Sequence, residues 1–172
     1  MKTYIRSVCE ADIEAVAQLS LGAWAPTFQS FEEILGRDIY RLIWPEWQAS
    51  QRKEVEDICQ SSLKGGDITT WAAICNGEVT GFLACKLNRE AKLGEVEYLA
   101  VDPNYRNHGI GTALNLVALE HMKAAGMNLA QLGTGGDDSH AAARRCYEKA
   151  GYTALPLVRY YKVIGSGLLS VD

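Results

Sequence analysis

The segment Val101-Asp-Pro-Asn-Tyr-Arg-Asn-His-Gly-Ile-Gly-Thr112 constrains this chain more than any other stretch. It reads as the end of a strand, a turn carrying Gly109 and Gly111, and the opening of a helix. Unpaired backbone N–H groups converge at a helix start, the helix dipole is positive there, and glycine lets the backbone approach phosphate oxygens with no Cβ in the way. Arg106 adds a fixed positive charge. Spacing then removes two ligand classes. A triphosphate-binding loop needs Lys before its Ser or Thr, and Gly111 stands in that place before Thr112. A dinucleotide-binding turn needs a third glycine where Leu114 stands, a turn directly off the strand, and an acidic residue about 20 positions later. None of these conditions is met.

Elements on either side of this turn outline the fold. Thr3 to Val8 alternates like a short strand, and Asp12 can cap a helix with Ile13, Val16, Ala17 and Ser20 on one face. Phe31, Ile34, Leu35 and Leu42 predict a second helix, and Val55, Ile58, Cys59 and Ser62 a third, with Pro45 separating the two. Ile68 to Cys75 and Glu78 to Leu87 flank Asn76-Gly77, a hairpin turn signal. Gly94 to Val101 predicts the next strand, Gly109 to Ala125 a helix closed by Gly126, and Leu129 to Leu132 a strand. Ser139 can cap a helix running to Ala150, and Tyr152 to Val163 is strand-like. The expectation is one α+β (mixed α/β) domain over residues 1–172, with a helical region at 9–66, a sheet-rich core at 67–163 and a loose tail at 164–172.

Composition narrows the setting. A net charge of -4 lacks the dense basic face that nucleic acid requires. Five cysteines without a C-x-x-C pair are an awkward count for a disulfide framework and predict reduced thiols. No stretch approaches the roughly 20 apolar residues of a membrane span, and Met1 to Val8 has no signal-peptide pattern. These readings predict a cytoplasmic protein, bound neither to nucleic acid nor to a membrane. His108, His121 and His140 have no ligand spacing with the cysteines, so no metal site is expected.

Arg106-x-x-Gly109-x-Gly111, preceded by Leu-Ala-Val-Asp-Pro, resembles the acetyl-CoA signature of the GNAT superfamily. Ala143-x-x-Cys-Tyr147-Glu-Lys-Ala-Gly151-Tyr resembles that family's second signature, and the two occur in the right order. The resemblance is close from about Ile68 to Lys162 and covers the N-terminal helices only in general layout. It implies a central, mostly antiparallel mixed sheet of about six or seven strands flanked by helices. It also implies an acetyl-CoA-dependent N-acetyltransferase that moves the acetyl group directly to an amine in a ternary complex. In that family the pantetheine arm meets the strand here spanning Leu99, Ala100 and Val101, and pyrophosphate meets the N–H groups of Asn107, His108, Gly109, Ile110, Gly111 and Thr112. His140 stands where many members carry asparagine, and is either a cofactor contact or an exposed residue at a helix start.

Acetyl transfer needs a neutral amine, a stabilised oxyanion and a proton for the departing thiolate. An alkyl ammonium of pKa ~10.4 is almost fully protonated at neutral pH, and a base, a carboxylate acting directly or through water, lowers that barrier. Glu95 and Glu97 are two apart on a strand, which predicts one shared face with Leu99 and Val101. Glu95 matches the position of the base in several members of the family; either glutamate can equally be a solvent-facing residue or an anchor for a substrate ammonium. The resemblance makes Tyr147 the proton donor to sulfur, with packing against the cofactor as the milder role, and gives the oxyanion to a backbone N–H near Val101. Cys146 reads as a small helix residue.

Aromatic residues Trp24, Phe28, Phe31, Trp44 and Trp47 concentrate in the N-terminal helices, where they either pack the core or wall a pocket. Trp24 and Phe28, beside Pro26 in an expected loop, are the residues assigned to the acceptor. Asp137 and Asp138 in the Gly133–Ser139 loop either attract a cationic amine or cap the next helix. The expected acceptor is a small-molecule primary amine, with a peptide amine or a non-catalytic acetyl-CoA sensor as alternatives, and a homodimer as a further option.

Overall fold

Asn76 and Gly77 both adopt positive φ, at 52° and 86°, which is the backbone a two-residue hairpin needs, and they join Ile68–Cys75 (β2) to Glu78–Asn88 (β3). The computed structural model describes residues 3–164. Around that hairpin, Thr3–Ser7 (β1) pairs antiparallel with β2, and Leu93–Val101 (β4) pairs antiparallel with β3. Leu129–Leu132 (β5) lies parallel to β4, giving a five-stranded sheet in the order β1-β2-β3-β4-β5. Helices Ile13–Leu35 (α1), Arg37–Ile43 (α2) and Trp47–Leu63 (α3) precede the hairpin. Ile110–Ala124 (α4) makes the β4-to-β5 crossover, and Ala141–Lys149 (α5) follows β5.

Alternation along β3 divides the core into two layers. Leu83 and Cys85 face α4, where they meet Ile110, Leu114 and Met122; Phe82 faces α1 and α3, where it meets Val16, Val55 and Cys59. Phe82, Leu83, Val16 and Val55 are fully excluded from water, each stabilising the fold by roughly 1.5–3 kcal/mol relative to exposure. Gly81 sets how closely α4 sits on the sheet, since a Cβ there would lie 3.0 Å from the Ala100 carbonyl and 3.1 Å from Ile110.

Three sequence expectations change. The sheet has five strands among the described residues, not six or seven, because Tyr152–Val163 forms no strand. That segment is β-competent in composition, but Pro156 interrupts its donors, and Leu155, Leu157 and Tyr160 remain 79%, 82% and 89% exposed. Residues 165–172 of the expected tail lie outside the described residues. Secondly, Pro26 does not open a loop, since α1 runs through it for 23 residues. The acceptor that loses its partner is the carbonyl of exposed Gly22, which water can satisfy, while buried Thr27 and Phe28 hold the next turn in place. Finally, Phe31 to Leu35 belong to α1 and Leu42 to α2; the break falls at Gly36 (φ 76°), and Ile34 and Leu42 are 63% and 70% exposed.

Candidate active site

Strands β4 and β5 pair only from Leu93↔Leu129 to Val96↔Leu132. Beyond Val96, β4 continues to Val101 while β5 has ended, so among the described residues the edge of β4 turned away from β3 has no strand partner over Glu97 to Val101. That edge is a row of backbone donors and acceptors beside Leu99, Ala100 and Val101.

The expected anion-binding turn lies directly after this open edge. Pro103–Tyr105 forms a single 3-10 turn, closed by Asp102 Oδ1 accepting from Asn104 N at 2.8 Å. Asn107 (φ 64°) and Gly109 (φ 77°) then take left-handed backbone and turn the chain into α4. Helix bonding starts with Ala113 N donating to Gly109 O at 2.9 Å, so the N–H groups of Ile110, Gly111 and Thr112 have no acceptor within the helix. Asn107, His108 and Gly109 are exposed. An exposed helix start with left-handed residues before it fits a bound pyrophosphate. Arg106 is also exposed, with Nη2 donating to the Ala23 carbonyl of α1 at 3.3 Å, and His108 Nδ1 bonds the Arg106 carbonyl at 2.8 Å.

Helix α5 brings the second signature against the first. Gly111 faces Cys146, whose Sγ would be 3.2 Å from a Cβ at that position; Asn115 Nδ2 lies 3.6 Å from the same sulfur. Cys146 thus packs α5 on the first turn of α4, which agrees with its reading as a small helix residue. Next to it, Tyr147 packs edge-on against Tyr152, with ring centroids 6.1 Å apart. Burial raises the Tyr147 phenol well above its ordinary range. Gly151 (φ 92°) ends the helix, and Tyr152 N returns to Tyr147 O at 3.1 Å.

Glu95 and Glu97 do not share a face with Leu99 and Val101. Ala84 pairs with Tyr98 but Cys85 pairs with Val96, so Glu97 is an extra residue, a β-bulge, and side-chain parity reverses across it. Leu99 and Val101 pack on the α4 layer, whereas Glu95 and Glu97 open on the α3 side. There they line a cleft of about 500 Å³ with Tyr98 and with Glu54, Asp57 and Ile58 of α3. Tyr98 OH donates to Glu54 Oε2 at 2.5 Å, and burial together with that carboxylate raises the Tyr98 phenol. Asp57 also holds exposed Lys53 at 2.5 Å. Glu54, Asp57 and Tyr98 were not among the residues picked from sequence; the i, i+3, i+4 spacing of Glu54, Asp57 and Ile58 is the signal that marks their common face.

The remaining assigned residues fall in two places. Trp24, on α1, packs against Phe82 and edge-on against Tyr98 at 5.8 Å, so it backs a cleft residue without lining the cleft itself. Phe28 lies in a separate aromatic stack, 4.2 Å from Trp47 and next to Phe31 and Trp44. Asp137 accepts from Ser139 N and caps the 3-10 turn before α5, the capping alternative expected for it, whereas Ser139 is expected to cap the helix itself; Asp138 is exposed. His140 Nδ1 lies 2.6 Å from Asp137 Oδ1. Among the described residues no cluster of metal-ligating side chains occurs, and no helix is long and apolar enough to cross a membrane.

Comparison with known proteins places this geometry. The model of the acetyltransferase (GNAT) family matches residues 36–152. The chain is 30% identical over 135 residues to N-acetylaspartate synthetase of Xenopus tropicalis, covering 77% of this chain and 49% of that protein. It is 35% identical over 82 residues to mycothiol acetyltransferase of Thermobispora bispora, covering 45% and 27%. The chain therefore spans half or less of the length of these curated relatives. Among solved structures, PaiA N-acetyltransferase from Thermoplasma acidophilum in complex with coenzyme A superposes with a TM-score of 0.71 at 23% identity, over 89% of this chain and 91% of that one. AAC(6')-Iy in complex with the bisubstrate analog CoA-S-monomethyl-acetylneamine gives 0.66 at 14% identity, over 95% and 99%. The family match spans both the bulged strand and the turn into α4, and this chain belongs to the GNAT acetyltransferase family.

Proposed function

We propose that the chain is an acetyl-CoA-dependent N-acetyltransferase whose acceptor is a primary amine on a cationic small molecule. The observation that carries this reading is the cleft of about 500 Å³ lined by Glu54, Asp57, Glu95 and Glu97 beside the open edge of β4. Four carboxylates around one opening favour an ammonium group and disfavour an anionic acceptor. Relatives named as acetyltransferases, and a similar structure holding coenzyme A, support the donor.

Bound acetyl-CoA supplies an acyl thioester, whose sulfur departs as a thiolate. The N–H groups of Asn107 to Thr112 hold its pyrophosphate, and the free edge of β4 at Leu99 to Val101 holds its pantetheine amides. Tyr147 donates the phenolic proton to the departing sulfur. Glu95, half-buried at the cleft, takes the proton of the acceptor ammonium, and more exposed Glu97 anchors the substrate. Trp24, edge-on against Tyr98, supports that cleft residue from the α1 side.

The test is thiol release from acetyl-CoA in the presence of polyamines, aminoglycosides, amino acids and peptide N-termini. Release with cationic small amines is expected. Release with peptides alone would move the acceptor class, and no release with any acceptor would overturn the reading.

A further inference from the structure

A chain of contacts joins α1 to α5 through residues far apart in sequence. Ser30 Oγ donates to Asp137 Oδ2 at 2.8 Å across 107 positions. The same carboxylate accepts from Ser139 N at 3.2 Å and from the Ser139 hydroxyl, while its other oxygen meets His140 Nδ1 at 2.6 Å. Both side chains are nearly closed to water, at 13% and 14% exposure. The His140 ring stacks on Phe31 at 5.7 Å, and Phe31 stacks on Trp44 at 4.9 Å. On the other side, Arg144 Nη1 donates to the carbonyls of Gly135 and Asp137, each at 2.7 Å, three residues before Tyr147.

Two further observations set this cluster apart from ordinary packing. Ser30, Asp137, His140 and Arg144 lie outside the two apolar core layers and join α1 to the turn before α5 by polar contacts instead. Gly135 also leaves no space to spare: a Cβ there would overlap both His140 Nδ1 and Asp137 Oδ1. Burial alone would raise the Asp137 carboxyl, but the hydrogen bonds from Ser139, Ser30 and His140 outweigh it and hold the group well below the usual carboxylate range. The bonds it accepts are therefore charge-assisted, about twice as strong as neutral ones.

We propose that Asp137 and His140 are positioning residues that, with Ser30 and Phe31, clasp α1 to the start of α5 and so fix α1, whose Trp24 backs the cleft residue Tyr98, relative to Tyr147. This rests on the acetyl-transfer reading for its consequence and on geometry alone for its existence. A misplacement of about 1 Å between reacting groups lowers rate by up to ~10²-fold, so the clasp acts on turnover more than on donor affinity.

The test uses the full chain with Ser30→Ala, Gly135→Ala and Ser30→Thr, which retains the hydroxyl. Expected are a kcat lowered ~10- to 100-fold in the first two variants with the KM for acetyl-CoA unchanged, near-parental turnover in Ser30→Thr, and altered tryptophan emission from the Trp44 stack. Unchanged kcat in both Ser30→Ala and Gly135→Ala would overturn the proposal. So would a loss in Ser30→Thr equal to that in Ser30→Ala, or an acetyl-CoA KM that rises in step with the loss. If the parent chain acetylates nothing, the activity reading fails and emission decides: a spectrum unmoved by Ser30→Ala and Gly135→Ala removes the clasp, and a shift reversed by Ser30→Thr upholds it.

Discussion

Gly111 and Cys146 bring α4 and α5 together: a Cβ on the glycine would lie 3.2 Å from the cysteine Sγ and 3.6 Å from Val101. The glycine of the first signature is thus also the seat of the second. Gly111→Ala requires a shift of a few tenths of an ångström, but Gly111→Val has no space and is expected to cost about 1–3 kcal/mol in urea unfolding. Adding Cys146→Ala returns volume at the contact. The double variant is expected to recover part of the loss, a non-additivity measurable in the same unfolding curves. Fully additive losses would deny the contact.

Tyr147→Phe removes the phenolic proton and keeps the ring that packs on Tyr152. Turnover is expected to fall by ~10²-fold or more, with acetyl-CoA binding and thermal stability near parental values. Steady-state rates beside calorimetric titration with CoA check this. A parental rate would remove Tyr147 from proton transfer.

Glu95→Gln and Glu97→Gln separate base from anchor. Glu95→Gln is expected to lower kcat by ~10²-fold and to steepen the dependence of rate on rising pH, because only amine already deprotonated in solution then reacts. Glu97→Gln is expected to raise the KM for the acceptor several-fold with kcat retained, by the loss of one exposed charge at the cleft. Equal pH–rate profiles for Glu95→Gln and the parent would show that water alone accepts the proton.

How much of this was legible beforehand differs by kind of feature. The hairpin at Asn76-Gly77, β5 at Leu129–Leu132 and the turn before α4 follow from local turn chemistry and periodicity, and those signals are written in adjacent residues. The bulge at Glu97 is not, since nothing in Glu-Val-Glu-Tyr-Leu announces that β3 skips a residue; register is a property of two strands, and it moved both glutamates to the other face. Likewise Pro26 is a helix breaker by local rule, and only tertiary burial of Thr27 and Phe28 carries α1 through it. The acidic cleft needed α3 and β4 set across one opening before Glu54 and Glu95 could line it together.

Asp12 accepts from Arg6 at 2.6 and 2.9 Å and from Cys9 N at 2.8 Å, and is only 6% exposed. The Arg6 hydrogen bond holds its carboxyl at about 2, against an ordinary 3.8. A carboxylate lowered on folding adds stability that is complete above its unfolded value and disappears as pH falls through the folded one. Asp12→Asn is therefore expected to cost up to ~2 kcal/mol at neutral pH, less for the part of Arg6 that stays in water, and the gap from the parent should close as pH falls from about 5 toward 2. Urea unfolding at a series of pH values measures it; a pH-independent gap would contradict the ion pair.

The extra residue at Glu97 sets the acidic side chains of β4 and its Leu99 and Val101 on opposite faces of the sheet. Up to the bulge β4 turns its polar side chain at Glu95 toward α3, and beyond it the same strand sends Leu99 and Val101 to α4. On the function proposed above, substitutions on α3 would retune the acceptor while the surface assigned to the donor stays untouched, leaving the two halves of the reaction free to evolve at different speeds.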